Sequence, residues 1–74
     1  MSDYALAEEN KELIGKRARI KQPESYCSYL WNKEGIIKEV NGWLFLDFDT
    51  PATNGSSHMD GVYLTSDSFE LEGN

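Results

Sequence analysis

The chain has 74 residues, of which 39% are hydrophobic, 12% aromatic and 27% charged, with a formal net charge of -6. That is the make-up of one small globular domain, whose surplus of acid argues against a general nucleic-acid binder. One cysteine, Cys27, excludes a disulfide framework, and the longest apolar run, Trp43 to Leu46, falls far short of the roughly 18–20 residues of a membrane helix.

Residues 3–13 carry the marks of a short helix in an N-terminal extension spanning 1–14. Ser2 or Asp3 can cap it, Glu8 and Glu9 come early, Lys11 comes late and Gly15 can stop it. Its apolar stripe, Leu6 and Leu13 flanked by Ala5, Ala7 and Ile14, is thin. The opening residues lack the basic and apolar regions of a secretion leader, so a reducing, cytoplasmic setting is expected.

From Gly15 onward the pattern turns strand-like, and residues 15–74 read as a β domain. Arg17-Ala18-Arg19-Ile20-Lys21 alternates charged and apolar, which puts Ala18 and Ile20 on a core and the bases in solvent. Pro23 ends the strand, and Glu24 to Lys33 forms a loop dense in Tyr26, Tyr29 and Trp31. Gly35 to Val40 is a second strand and Asn41-Gly42 a hairpin turn. Trp43 to Phe48 then places Leu44, Leu46 and Phe48 on one face. Thr50 to Gly61 reads as a polar loop. Val62 to Leu64 and Phe69 to Leu71 close the chain around a turn at Thr65-Ser66-Asp67-Ser68. About five short strands with a long second loop predict a mainly β fold, a small antiparallel SH3-like barrel.

The segments Ala18 to Tyr26 and Glu34 to Val40, with their basic alternating strand, Pro23-Glu24-Ser25-Tyr26 step and Gly-Ile-Ile strand, resemble the PsaE family of peripheral photosystem I subunits. The likeness runs over about residues 15–72, including Gly61-Val62 and Asp67-Ser68-Phe69-Glu70-Leu71. It implies a five-stranded SH3-like barrel without catalytic activity. It also implies an accessory role on the cytoplasmic or stromal side of a membrane complex, where the family helps dock ferredoxin. Family members tend to be basic, whereas this chain is acidic, and Cys27 stands where an aromatic is common.

Charge is distributed unevenly: -3 over residues 1–10, +4 over 11–38, which hold all seven bases, and -7 over 39–74. That leaves room for two opposed faces. On the basic side, Arg17, Arg19 and Lys21 beside Tyr26, Tyr29, Trp31, Trp43 and Tyr63 would steer and grip a partner protein or multi-subunit complex. The bland reading of the aromatic loop is that it covers an open end of the barrel. On the acidic side, Asp47, Asp49, Asp60, Asp67, Glu70 and Glu72 offer an alternative. They would form a carboxylate surface imitating nucleic acid in the basic groove of a nucleic-acid enzyme, as a phage-type inhibitor does. Direct RNA or DNA binding is the third reading. Ser57, His58 and Asp60 are too close in sequence to assemble a triad. The acids lack calcium-loop spacing, and Asn54-Gly55-Ser56 fits the glycosylation pattern only by letter. No catalytic, cofactor or metal-binding residue is expected.

Overall fold

The structure, a computed structural model, describes residues 4–22 and 26–72. Its framework is one antiparallel five-stranded sheet: β1 (Arg17–Ile20), β2 (Glu34–Val40), β3 (Trp43–Asn54), β4 (Ser57–Tyr63) and β5 (Phe69–Leu71), in the order β4-β3-β2-β1-β5. The mainly β expectation is met, but the sheet does not close into a barrel. Edge strands β4 and β5 share no ladder, and β5, three residues long, is paired along its length with β1.

Strand alternation places the core. Ala18, Ile20, Ile37, Leu44, Leu46 and Leu64 are all fully buried, with Leu30, Phe48 and Ala52 beside them. Burying each larger aliphatic chain is worth about 1.5–3 kcal/mol. The Asn41-Gly42 turn has positive φ at both central residues, 55° and 86°, the type I′ geometry whose twist matches the flanking strands.

Two expectations are overturned. The segment expected as a helix over 3–13 instead forms bridges at Tyr4 and Leu6, turns at Ala7 and becomes a 3-10 turn at Glu8–Leu13, broken by non-helical φ/ψ at Asn10; Asp3 lies outside the described residues. The decisive pattern is the alternation Tyr4-Ala5-Leu6-Ala7, which buries both alanines and exposes Tyr4 and Leu6. Ala5 N–H donates to the Leu64 carbonyl (2.8 Å), Leu44 N–H to the Ala5 carbonyl (3.0 Å) and Ala7 N–H to the Gly42 carbonyl (2.9 Å). A short helix with a thin stripe is marginal, and these strand contacts give the segment better use for its backbone.

The second overturned expectation is the polar loop at Thr50 to Gly61, which is a hairpin. Gly55, at φ 67°, opens a two-residue turn between Asn54 and Ser57, which pair. Between the pairs Asp47–Gly61 and Ala52–Met59 the register slips, so β3 bulges around Pro51. The hairpin escapes a sequence reading because its only buried side chain is Ala52, with Met59 partly covered. The turn expected at Thr65–Ser68 forms. Buried Ser68 locks it, its hydroxyl accepting from the Thr65 N–H (2.9 Å) and donating to the Thr65 carbonyl (3.0 Å).

Candidate functional site

The aromatic loop folds inward. Tyr26 and Tyr29 pack against the core. The Tyr26 hydroxyl donates to the Tyr63 carbonyl, and Trp31 Nε1–H donates to the Tyr26 carbonyl at 3.2 Å. The Tyr29 hydroxyl sits 3.3 Å from Met59 Sδ. All three rings are half-buried. The loop therefore ties the 3-10 turn Ser28–Leu30, whose Leu30 is buried, to β4. This matches covering an open end of the sheet more closely than presenting three rings to a partner. Pro23, Glu24 and Ser25, part of the motif behind the family resemblance, lie outside the described residues.

The expected separation into basic and acidic faces does not survive folding, because β1 lies between β2 and β5. Arg17 meets three carboxylates: Asp49 through both terminal nitrogens (2.6 and 3.3 Å), Glu72 (3.3 Å) and Glu34 (3.4 Å). Arg19 pairs with Glu70, and Lys38 with Asp47 at 2.6 Å. The Asp49 hydrogen bond and charge push the Arg17 guanidinium up from its ordinary value, and Glu70 does the same for Arg19. In return, the Arg17 hydrogen bond holds the Asp49 carboxyl below the usual carboxylate range. These pairs are solvent-exposed and add little stability, yet they change what the surface offers. Two of the three bases expected to steer a partner carry carboxylates against them, and only exposed Lys21 stands outside the ion pairs recorded among the described residues. Four of the six acids in the alternative surface, Asp47, Asp49, Glu70 and Glu72, are the other halves of those pairs. Asp60 is exposed, and Asp67 accepts from the Thr65 hydroxyl at 3.0 Å.

What is left uncovered lies elsewhere. Tyr4 (52% exposed), Leu6 (39%), Ile14 (40%) and Trp43 (36%) are large apolar side chains facing solvent. Leu6 bridges Trp43 across the backbone. The Trp43 ring stands edge-on to Tyr4 at 6.1 Å, Tyr4 packs on Tyr63 at 5.8 Å, and Tyr63 stands edge-on to Phe45 at 5.4 Å. Asn41 Nδ2 holds the Tyr63 hydroxyl at 3.3 Å. Leu6, Ile14 and Trp43 line an open groove of about 870 Å³, with Glu8, Lys11 and Glu39 at its polar margin. Glu39 is fixed in place because its carboxylate accepts the Gly42 N–H at 2.8 Å.

Of the expected contact residues, Trp43 and Tyr63 belong to this aromatic row, while Tyr26, Tyr29 and Trp31 lie in the loop packed toward β4. Tyr4, Leu6 and Ile14 are missed by the sequence reading because it assigns Tyr4 and Leu6 to a helix over 3–13 and sets Ile14 beside that helix's apolar stripe. The alternation around Ala5 and Ala7 is the signal that could have found them.

Other constellations stay apart. Ser57 and His58 are neighbours on one strand, so their side chains leave opposite faces of the sheet. Cys27 is an exposed free thiol. Among the described residues no group of three or more His, Cys, Asp or Glu is arranged to hold a metal ion, and no helix is long and apolar enough to cross a membrane. No family model, curated protein or solved structure matches the chain.

Proposed function

We propose that this chain is a non-catalytic docking protein, a small SH3-like β domain that binds another protein through the face formed by Tyr4, Leu6, Ile14 and Trp43. The observation that carries the proposal is that exposed apolar face. A chain of this size has little apolar surface to spare, and large exposed apolar side chains gathered at one groove mark an interaction site. Tryptophan and tyrosine are the side chains most enriched where protein interfaces concentrate their energy. The SH3-like reading draws support from a meander of β1 to β4 with β5 returning to β1. It draws more from the bulge that bends β3 between its two halves.

An accessory role of the kind the PsaE resemblance implies is compatible with such a face. A basic steering surface is less well supported, since Arg17 and Arg19 are engaged with carboxylates. The test is comparative capture from a native lysate with the wild type, Trp43→Ala, Ile14→Ser and the double variant Arg17→Glu/Arg19→Glu. Loss of the same partner from both apolar-face variants, with retention by the arginine variant, supports the proposal. A partner that persists through Trp43→Ala and Ile14→Ser but is lost with the arginines refutes it.

A further inference from the structure

The chemistry around the groove specifies its occupant. The groove and the smaller depression beside it share Leu6. Together they are lined by three carboxylates, Glu8, Glu9 and Glu39, against one ammonium, Lys11. Glu8 and Glu9 sit on the 3-10 turn, Glu8 lining the groove and Glu9 the depression beside it, and Glu39 in the groove lining is held by the Gly42 N–H. None of the three takes part in an ion pair recorded among the described residues, in contrast to the carboxylates around Arg17 and Arg19. The charge left after internal pairing is thus negative, and it lies beside the exposed apolar strip.

We infer that the groove receives a segment of a partner protein that is both apolar and basic: one or two Leu, Ile, Val or aromatic side chains against Trp43, Leu6 and Ile14, flanked by Lys or Arg reaching Glu8, Glu9 and Glu39. This inference rests on the docking reading above, and it reverses the partner charge that the family resemblance implies. Desolvation of the apolar strip supplies the affinity. Like-charge repulsion at the rim disfavours acidic segments, because charges brought closer than the Debye length, about 8 Å at physiological salt, still act on one another. The groove's volume, about 870 Å³, is in the range that receives a few side chains rather than a small ion.

The experiment titrates the full chain into two dye-labelled synthetic peptides, one alternating lysine with leucine and the other its glutamate counterpart, and reads fluorescence anisotropy. The basic peptide binds at least about tenfold more tightly, a difference of about 1.4 kcal/mol. Trp43→Ala and Ile14→Ser each weaken it, and so does Glu8→Lys. Asp60→Lys, an equal charge change on β4 away from the groove, leaves it unaltered. Ile14→Ser guards against misfolding of the Trp43 variant, since Ile14 is exposed and lies outside every strand. If the acidic peptide binds as tightly and still depends on Trp43, the docking face stands and its partner chemistry is wrong. If neither peptide responds to Trp43→Ala or Ile14→Ser, the docking reading falls with it. If Asp60→Lys weakens the basic peptide as much as Glu8→Lys, the attraction belongs to the net charge and the inference is overturned.

Discussion

Gly35→Ala tests the packing that holds the sheet's centre. Gly35 is buried in β2 and is paired on both sides, with Ala18 of β1 and Phe48 of β3. A β-carbon there would fall on the Asp47 carbonyl, 2.7 Å from its carbon and 2.9 Å from Phe48 Cα. Carbon atoms rest about 3.5–4.0 Å apart, so β2 and β3 must separate locally by something close to an ångström. The neighbours cannot absorb that through a side-chain rotation, because the obstructing atoms are backbone. Overpacking of this kind costs about 1–3 kcal/mol, against a total stability of about 4–11 kcal/mol for a chain of this length. The melting temperature should fall by roughly 4–8 °C for each kcal/mol. Urea unfolding followed by tryptophan fluorescence and by circular dichroism measures it directly. A midpoint within about 0.5 kcal/mol of the wild type, at an unchanged denaturant slope, would refute the argument that β2 and β3 are in contact through a position only glycine can fill.

Other consequences are open to similar tests. Tyr26→Phe removes the hydroxyl that ties the aromatic loop to the Tyr63 carbonyl and should cost about 0.5–1.5 kcal/mol in thermal unfolding; an unchanged transition would mean the loop does not brace β4. Asp49 has its carboxyl lowered by Arg17 in the folded state, so the folded protein binds fewer protons than the unfolded chain just below the ordinary carboxylate range. The stability it adds is therefore present at neutral pH and lost as the solution is acidified through that window. Asp49→Asn should flatten this acid limb, and an identical pH profile in the variant would contradict the pairing. Asn54-Gly55 and Asn41-Gly42 both offer a glycine nitrogen that can attack the preceding amide to give a succinimide and release ammonia. The Gly42 nitrogen is engaged with Glu39 and the Asn41 amide with Tyr63. Peptide mapping after incubation at mildly alkaline pH should find conversion to the acid first at Asn54, and faster conversion at Asn41 would rule out that protection.

Much of the sheet was legible because alternation is a local property. Ala18 and Ile20, then Leu44, Leu46 and Phe48, are the buried members of their strands, as their spacing predicts. Asn41-Gly42 announced its hairpin through the positive φ that type I′ geometry demands. The outer part of the β3–β4 hairpin, residues 50–61, is hidden because most of its side chains face solvent, so no apolar alternation marks it. The N-terminal segment was misread for a different reason. Ala5 and Ala7 suit a helix or a strand equally well, and the backbone groups of Gly42, Leu44 and Leu64 decide between them.

The candidate site divides along the same line. Composition, net charge and the strand positions of Arg17, Arg19, Lys38 and Trp43 follow from the chain alone, since each depends on residue identity or on neighbours one or two places away. Which charges remain free does not. The sequence places bases in its middle and acids in its last half, but antiparallel pairing brings residues 32 and 55 positions from Arg17, Asp49 and Glu72, onto its guanidinium. Local periodicity contains no such distance. The same folding step leaves Glu8, Glu9 and Glu39 beside exposed Leu6, Ile14 and Trp43. The net charge of -6 is a property of the sequence; where that charge can act is set by long-range pairing, which buries or neutralises some groups and leaves others at the groove.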